Sequence, residues 1–169
     1  MNYSEVATPF GILGVRWRGQ RLSRVLLAPD LEDSGSGSDR IGAHRVATAP
    51  AWLRTEFEAY FADPRYRFQC AVEPAGTDFQ RRVWTLIAAI PAGQPHTYGA
   101  LARELGSSAR AVGHACRANP VPLRIPCHRV VAANGLGGFS GDRGGRLLHI
   151  KRWLLAHEAK ALASDEADR

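Results

Sequence analysis

The sequence has 169 residues, of which 45% are hydrophobic and 22% are charged, the balance of an ordinary globular protein. Its apolar runs are only a few residues long, which excludes a membrane-spanning helix, and the stretch MNYSEVATPFG lacks the pattern of a secretory signal. Three cysteines without C-x-x-C spacing predict neither a disulfide framework nor a zinc site, so we expect a reducing, cytoplasmic location and no metal.

The net charge of +6 is unevenly distributed. Residues 1–78 carry nine Arg against ten acidic residues, residues 79–160 carry twelve Lys or Arg against three, and the last nine residues carry a net −2. This concentration of positive charge predicts a polyanionic partner, nucleic acid above all. The alternative is a general bias towards Arg in the composition, although such a bias would have made residues 1–78 basic as well.

The first half predicts a β-hairpin, a helix and a short strand. Apolar positions at Ile12, Val15 and Trp17 precede a turn at residues 18–20, and a second strand follows over residues 22–27. The polar segment 33–40 reads DSGSGSDR, which is typical of a flexible loop.

A helix begins after Pro50 and ends at Asp63-Pro64, with an apolar face formed by Leu53, Phe57, Tyr60 and Phe61. The alternating segment RFQCAVE predicts a strand in which Cys70 is a core thiol. PAGTD, residues 74–78, is the predicted linker to the second half.

The second half is predicted to be mostly helical. Thr77 and Gln80 form a capping box for a helix that reaches Ile90. Thr97 caps a short helix over residues 98–105, which Gly106 ends, and Ser107 or Ser108 caps another over residues 109–118. Two short helices in a basic region suggest a helix-turn-helix, although many helical hairpins have no such role.

The second of these helices has a basic outer face with little bulk, formed by Arg110, Gly113, His114 and Arg117. Small residues allow a helix to approach a groove closely, and a lone Arg can then project into it. A helix packed on its own protein with two solvated Arg is the alternative. No role is evident for His114.

The segment LRIPCHRVVAANG interrupts an apolar strand pattern with a thiol and an imidazole. In an extended chain Cys127 and His128 point to opposite faces, so they would cooperate only through a bend at Pro126 or through a water. A structural Cys beside a surface His is the simpler interpretation of the spacing alone.

A carboxylate in the last predicted helix, residues 146–158, favours the catalytic interpretation. Glu158 falls on the stripe of Leu147, Ile150 and Leu154, where burial requires a partner, and His128 is the natural one. The alternative is a frayed helix end with Glu158 in solvent.

IPCHRVV, with RAVGHACRANPVP before it and KRWLLAHE after it, resembles the O6-alkylguanine-DNA alkyltransferases, the methylated-DNA–protein-cysteine methyltransferases of direct repair. The resemblance is close over residues 79–158. It implies an α+β fold: a small N-terminal α/β, ribonuclease H-like domain (1–76), a mainly helical, winged helix-turn-helix-like domain that binds DNA and accepts the alkyl group (77–160), and a flexible tail (161–169).

The resemblance also implies the catalytic roles. Cys127 would accept the alkyl group from O6 of guanine as a partly ionised thiolate. His128 would be its base through a water, and Glu158 would hold the imidazole. Asn119 would brace the turn into the active-site strand. Tyr98 would lie against the lesion and donate a proton to the departing guanine.

Further residues would bind the DNA. Arg110 would enter the base stack in place of the extruded nucleotide, and other DNA contacts would come from Thr97, Ala109, Gly113 and Arg117. The Val130 and Cys127 carbonyls would accept from the exocyclic amine of the base, and Ser140 would contact O6. Phe139 stands where many members have Tyr.

The implied activity is an irreversible, single-turnover transfer without a cofactor. Its partner would be double-stranded DNA carrying O6-alkylguanine, with O4-alkylthymine as a further candidate, extruded through the minor groove. We expect a monomer, and cooperative assembly along DNA stays open. The segment 141–151 is several residues longer than the usual loop and adds Arg143 and Arg146. Arg129 has no assigned role.

Three alternatives belong to other classes. A non-catalytic damage sensor of the alkyltransferase-like type would replace the acceptor, usually with Trp, which Cys127 argues against. A helix-turn-helix regulator would need a base-reading helix with more polar side chains. A Cys-His-Glu hydrolase would turn over many times.

Overall fold

The computed structural model describes residues 1–29 and 44–167, so the loop predicted at residues 33–40 lies outside the described residues. The fold is mixed α+β, as expected, and the chain divides into two compact units, Met1–Pro74 and Ala75–Arg169. Over the described ranges, no helix is both long and apolar enough to cross a bilayer.

In its described residues, 1–29 and 44–74, the first unit contains a five-stranded sheet in the order β4-β1-β2-β3-β5 and the helix α1. The central strands pair antiparallel and both edge strands pair parallel to them. Their bounds are β1 (Asn2–Thr8), β2 (Gly11–Arg18), β3 (Arg21–Leu26), β4 (His44–Arg45), α1 (Ala51–Ala62) and β5 (Ala71–Val72). The predicted hairpin is β2–β3, and β1 was not predicted.

Two details of the first unit differ from the sequence prediction. Ile12 is 42% exposed and Leu13 is fully buried, so the apolar face of β2 begins one residue later than expected. The strand predicted over residues 67–73 is reduced to β5, because β5 pairs with β3 only at its two residues. Phe68 and Cys70 are nevertheless buried, which confirms Cys70 as a core thiol.

The second unit consists of four helices, a 3₁₀ turn and a two-stranded parallel sheet. Its elements are α2 (Asp78–Ala89), β6 (His96–Thr97), α3 (Tyr98–Leu105), α4 (Ala109–Arg117), the 3₁₀ turn (Cys127–Arg129), β7 (Val130–Val131) and α5 (Arg146–Ala167).

The predicted helix ends of this unit are confirmed. Thr77 and Gln80 make both bonds of the capping box, and Ser108 caps α4 by accepting from the Ala111 N–H. Gly106 ends α3 in the left-handed conformation, with φ of 62°. Each such cap stabilises its helix by about 1 kcal/mol.

The last helix was predicted to end near Glu158, and this is corrected. The helix continues to Ala167. Gly93, at φ of 78°, lies so close to the Leu162 side chain that a Cβ there would come within 3.0 Å of Leu162 Cδ1. Leu162 therefore packs on this turn one helical turn beyond Glu158, in a segment rich in helix-forming Ala.

Helix α4 is fixed from behind by α2. The Trp84 indole donates a 2.8 Å bond to the Ala115 carbonyl, and Val83, Leu101 and Val112 lie in the core beneath it. The inner face of α4 is thus immobilised, and its small and basic outer residues face away from the core.

Candidate active site

The segment around Cys127 is a 3₁₀ turn, which corrects the prediction of an interrupted extended strand. Residues Cys127–Arg129 form the turn, and the Arg129 N–H donates to the Pro126 carbonyl at 2.9 Å. Pro126 lacks an N–H and has a fixed φ, so it ends the extended approach. This is the bend that brings the thiol and the imidazole into different but neighbouring environments.

Behind the thiol lies a buried charged cluster formed by His128, Arg129 and Glu158. His128 Nε2 lies 2.7 Å from Glu158 Oε1. Arg129 grips the same carboxylate with two bonds, Nε to Oε2 and Nη2 to Oε1, both 2.9 Å long. The predicted pairing of His128 with Glu158 is present, and Arg129, which had no assigned role, is its third member.

The cluster determines which nitrogen of His128 is available as a base. Burial disfavours the Glu158 charge, but His128 and Arg129 outweigh it and hold the pKa of that carboxyl well below its usual range. An ionised carboxylate only accepts, so His128 Nε2 carries the proton and Nδ1 carries a lone pair. Nδ1 is buried and has no hydrogen-bond partner among the residues described. It is the nitrogen that can take up a proton.

His128 is neutral in this environment. Burial lowers its pKa below the ordinary value of 6.5, against the opposing effect of Glu158. The neighbouring Arg129 charge adds to this lowering, because it opposes a second positive charge in the cluster.

The Cys127 thiol is 3% exposed and is held by Asn119. The Asn119 amide donates to Cys127 Sγ at 3.2 Å and to the Ile125 carbonyl at 2.8 Å, and its oxygen accepts from the Val121 N–H at 3.0 Å. Asn119 thus spans the turn that precedes the thiol, where the resemblance placed it, and touches the sulfur as well.

Burial favours the protonated form of the Cys127 thiol, whereas the resemblance implied a partly ionised Cys127. Burial raises the pKa of Cys127 to about 11, although the Asn119 bond and the Lys151 charge work in the other direction. The reaction therefore needs a base that removes the proton as the sulfur attacks.

Lys151 is a site residue that the sequence analysis missed. It is fully buried, and its ammonium donates to the Val130 carbonyl at 2.7 Å and to the Gly138 carbonyl at 2.9 Å. It lies 5.7 Å from the Tyr98 ring centroid and 5.9 Å from that of Phe139. Burial lowers the pKa of Lys151 to about 8, although the nearby Cys127 and Cys116 thiols act to raise it.

A pocket of about 540 Å³ opens beside the thiol and brings together most of the predicted residues. The predicted residues that line it are Tyr98, Ala109, Arg110, Gly113, Arg117, Cys127, Phe139 and Ser140. His114, Cys116, Asp142 and Arg143 also line it. Thr97, Asn119, His128, Val130 and Glu158 do not line the pocket. Asn119 holds the Cys127 sulfur, and His128 and Glu158 belong to the buried charged cluster behind it.

Tyr98 is a neutral donor at this wall. Burial raises the pKa of its phenol, and the Cys116 and Cys127 thiols add to the effect. Its hydroxyl donates to the Gly138 carbonyl at 3.3 Å, a long bond.

Two predicted contact residues are already engaged within the protein. The Val130 carbonyl accepts from Lys151, and the Thr97 hydroxyl caps α3 by accepting from the Ala100 N–H at 3.1 Å.

We expect Lys151→Met to slow the reaction of the Cys127 thiol with an electrophile about tenfold at pH 7, since losing the buried charge would raise the pKa of Cys127 by about one unit. Lys151 itself loses its charge above its pKa of about 8. The difference from wild type should therefore narrow above that pH. Single-turnover rates between pH 6 and 9 check this, and Lys160→Met, an exposed lysine on the same helix, is the control. A difference independent of pH would mean that Lys151 acts only by packing.

No group of three or more His, Cys, Asp or Glu side chains suited to a metal occurs within residues 1–29 and 44–167. The chemistry available at the site is that of a thiol, a neutral imidazole, a phenol and an ammonium.

Comparison with known proteins points to one family. Residues 78–160 match the family described as 6-O-methylguanine DNA methyltransferase, DNA binding domain. A methylated-DNA–protein-cysteine methyltransferase of Methanosarcina acetivorans is 36% identical over 146 residues, which is 79% of this chain and 90% of that protein. The protein of the same name from Shigella flexneri is 36% identical over 173 residues, covering 94% and 95% of the two chains.

Solved structures agree. The crystal structure of the Mycobacterium tuberculosis O6-methylguanine methyltransferase is 31% identical, with a TM-score of 0.80 over 95% of this chain and 93% of that one. The structure of Mycobacterium tuberculosis OGT in complex with DNA is also 31% identical, with a TM-score of 0.79 over 95% and 94%.

Proposed function

The chain belongs to the methylated-DNA–protein-cysteine methyltransferase family, and from that premise we propose that it moves the alkyl group of O6-alkylguanine in duplex DNA irreversibly to Cys127. The observation that carries the proposal is the position of the thiol. Cys127 lies in a pocket beside the basic face of α4, with the Glu158–His128 pair directly behind it.

The proposed step is an in-line displacement at the alkyl carbon. The Cys127 sulfur forms a bond to that carbon as the bond from the carbon to O6 breaks. The thiol proton passes through a water to His128 Nδ1, and the guanine leaves protonated, with Tyr98 as the donor. Glu158 stabilises the imidazolium that forms, because it accepts from Nε2.

Positioning supplies the rest of the catalysis. Asn119 and Lys151 both favour a negative sulfur, and the buried setting strengthens these interactions. A protein that holds the thiol against an activated alkyl carbon needs no cofactor, since effective molarity replaces one.

The damaged base must leave the helix to reach the thiol, so we include base extrusion in the proposal. The small residues Ala109 and Gly113 line the pocket on α4 and suit a close approach in the minor groove. Arg110 is exposed on the same helix and fills the position of the extruded nucleotide. Extrusion costs a few kcal/mol, less for a damaged pair.

Further parts of the proposal concern architecture and context. The first unit is a ribonuclease H-like domain, and the second is a winged helix-turn-helix-like domain in which α4 enters the DNA. We propose a cytoplasmic monomer, with O4-alkylthymine as a second candidate substrate. Each molecule reacts once, since nothing at the site can cleave the resulting thioether.

Intact mass spectrometry tests the transfer. After mixing with a short duplex that carries one O6-methylguanine, the protein should gain about 14 Da, the mass of one methylene, and never more than one such increment. Excess damaged duplex should not be repaired beyond the amount of protein. Repeated turnover would favour a hydrolase, and tight binding without a mass change would favour a non-catalytic damage sensor.

A further inference from the structure

Three arginines line the pocket beside Cys127, and one of them does not belong to α4. Arg110 and Arg117 lie on α4, whereas Arg143 lies in the loop 141–145 that precedes α5. None of the three forms an ion pair with an acidic side chain in the described part of the chain. Their guanidinium groups are therefore available to an external anion.

The loop that carries Arg143 is held in one conformation. Phe139 and Asp142 exchange backbone hydrogen bonds of 2.9 and 2.8 Å around a turn in which Ser140 and Gly141 both have positive φ, 48° and 87°. The φ of Gly141 favours glycine, and a Cβ there would lie 2.9 Å from Arg117 Nε. The turn is thus packed directly against the end of α4.

Among the described residues that line the pocket, Asp142 alone is acidic, and its carboxylate already accepts hydrogen bonds. It accepts from the N–H groups of Gly144, Gly145 and Leu147 at 3.0, 2.8 and 3.2 Å. The Gly144 and Gly145 bonds, foremost, lower the pKa of this carboxyl. The charge of Asp142 thus stabilises the start of α5 and does not neutralise Arg143.

The Arg143 side chain passes over the wall that faces the base. Its Cγ lies 3.8 Å from the position that a Cβ on Gly138 would occupy. The Gly138 carbonyl is the group that accepts from Tyr98 and Lys151. Arg143 is exposed and lines the pocket, so its side chain lies at the solvent edge of the pocket next to Gly138.

We propose that Arg143 binds a phosphate that flanks the extruded nucleotide and so positions the damaged base against Cys127. The proposal rests on the proposed function. A nucleotide whose base fills the pocket brings its own two phosphates to the mouth, where Arg143 lies. Undamaged, stacked DNA does not place a phosphate there, so the contact stabilises the extruded state and not general DNA binding.

Arg143→Ala tests this in three assays. The single-turnover rate on O6-methylguanine duplex at saturating DNA should fall about tenfold, as expected for one charge-assisted phosphate contact. In a plot of the logarithm of this rate against the logarithm of salt concentration, the slope should become shallower by about one unit. Binding to undamaged duplex should stay within about twofold, and so should the reaction with the free base O6-methylguanine, which has no phosphate. Arg143→Lys should recover part of the rate, and Arg82→Ala, an exposed Arg on α2, should change nothing.

An equal loss with the free base would overturn the proposal, because the loop would then act only by shaping the pocket. An unchanged duplex rate, or equal weakening for damaged and undamaged duplex, would overturn it too. Absence of any transfer from duplex to the wild-type protein would overturn the proposed function itself and the role of Arg143 with it, so the two failures are distinguishable.

Discussion

Cys127→Ser is expected to abolish methyl transfer from an O6-methylguanine duplex, lowering the rate by more than about a thousandfold. A serine hydroxyl is far less acidic than a thiol. In a pocket where burial already raises the pKa of the thiol to about 11, a neutral imidazole cannot deprotonate an alcohol. The measurement is intact mass, followed by location of the methyl group in the peptide that contains Cys127.

Cys116→Ser is the matched control, because it removes the second thiol from the wall of the same pocket. Burial is the main cause that raises the pKa of Cys116 as well. Asn119 does not hold the Cys116 sulfur; its backbone N–H donates to the Cys116 carbonyl at 3.2 Å. This variant should accept one methyl group at near the wild-type rate. Methylation of Cys127→Ser, or loss of methylation in Cys116→Ser, would show that the acceptor has been assigned to the wrong residue.

Glu158→Gln is expected to destabilise the second unit by about 3–5 kcal/mol, the usual effect of removing one partner from a buried ion pair. The neutral amide keeps the shape of the Glu158 side chain but leaves Arg129 as a buried charge without its counterion. The NH₂ group of the glutamine also faces the donors of His128 and Arg129, which it cannot accept from. Since domains are stable by only about 5–15 kcal/mol, a large share of the stability is lost. Urea unfolding monitored by tryptophan fluorescence gives the value.

The destabilisation should depend on pH with a definite sign. The folded-state pKa of Glu158 lies well below its ordinary value, so the stability it contributes is complete above the unfolded pKa of about 4.3 and is lost as pH falls through the folded pKa. The difference between wild type and Glu158→Gln should therefore be constant above about pH 5 and shrink below pH 4. Glu166→Gln, an exposed position on α5, should show no such difference.

His128 adds a second acid-sensitive contribution in wild type. Its pKa is lowered by burial, so the unfolded chain takes up a proton below about pH 6.5 that the folded protein resists, and stability declines from there. Methyl transfer by Glu158→Gln, measured where the variant is folded, should also be slow, because the His128 tautomer is no longer fixed. A variant as stable and as fast as wild type would mean that the cluster is not needed.

Local rules predicted the helices of the second unit well. The Thr77–Gln80 capping box, the Ser108 cap and Gly106 each act within one helical turn, so the chain itself carries the information. Strands depended on partners far away in sequence. β1 went unpredicted and the strand around Cys70 was predicted too long, because pairing with β2 or β3 decides where a strand begins and ends.

The site was predicted in part, for the same reason. Glu158 was found because a carboxylate breaks an apolar helical stripe. Lys151 falls on that same stripe, one residue after Ile150, and this signal could have found it, but a lysine is normally exposed and its long side chain can leave an apolar face. The two hydrogen bonds from Arg129 to Glu158 join residues 29 positions apart and have no local signature in the sequence.

In the 3₁₀ turn at Cys127–Arg129, the place of a residue in the sequence decides the direction in which its side chain points. Successive side chains in such a turn are about 120° apart, so three consecutive residues face three directions, whereas a strand offers only two. One side chain points to the pocket and the next two converge on a single carboxylate from different sides. A one-residue insertion or deletion within the turn would point each side chain in the direction that its neighbour now takes. The motif can therefore evolve by substitution around it but not by a change of length within it.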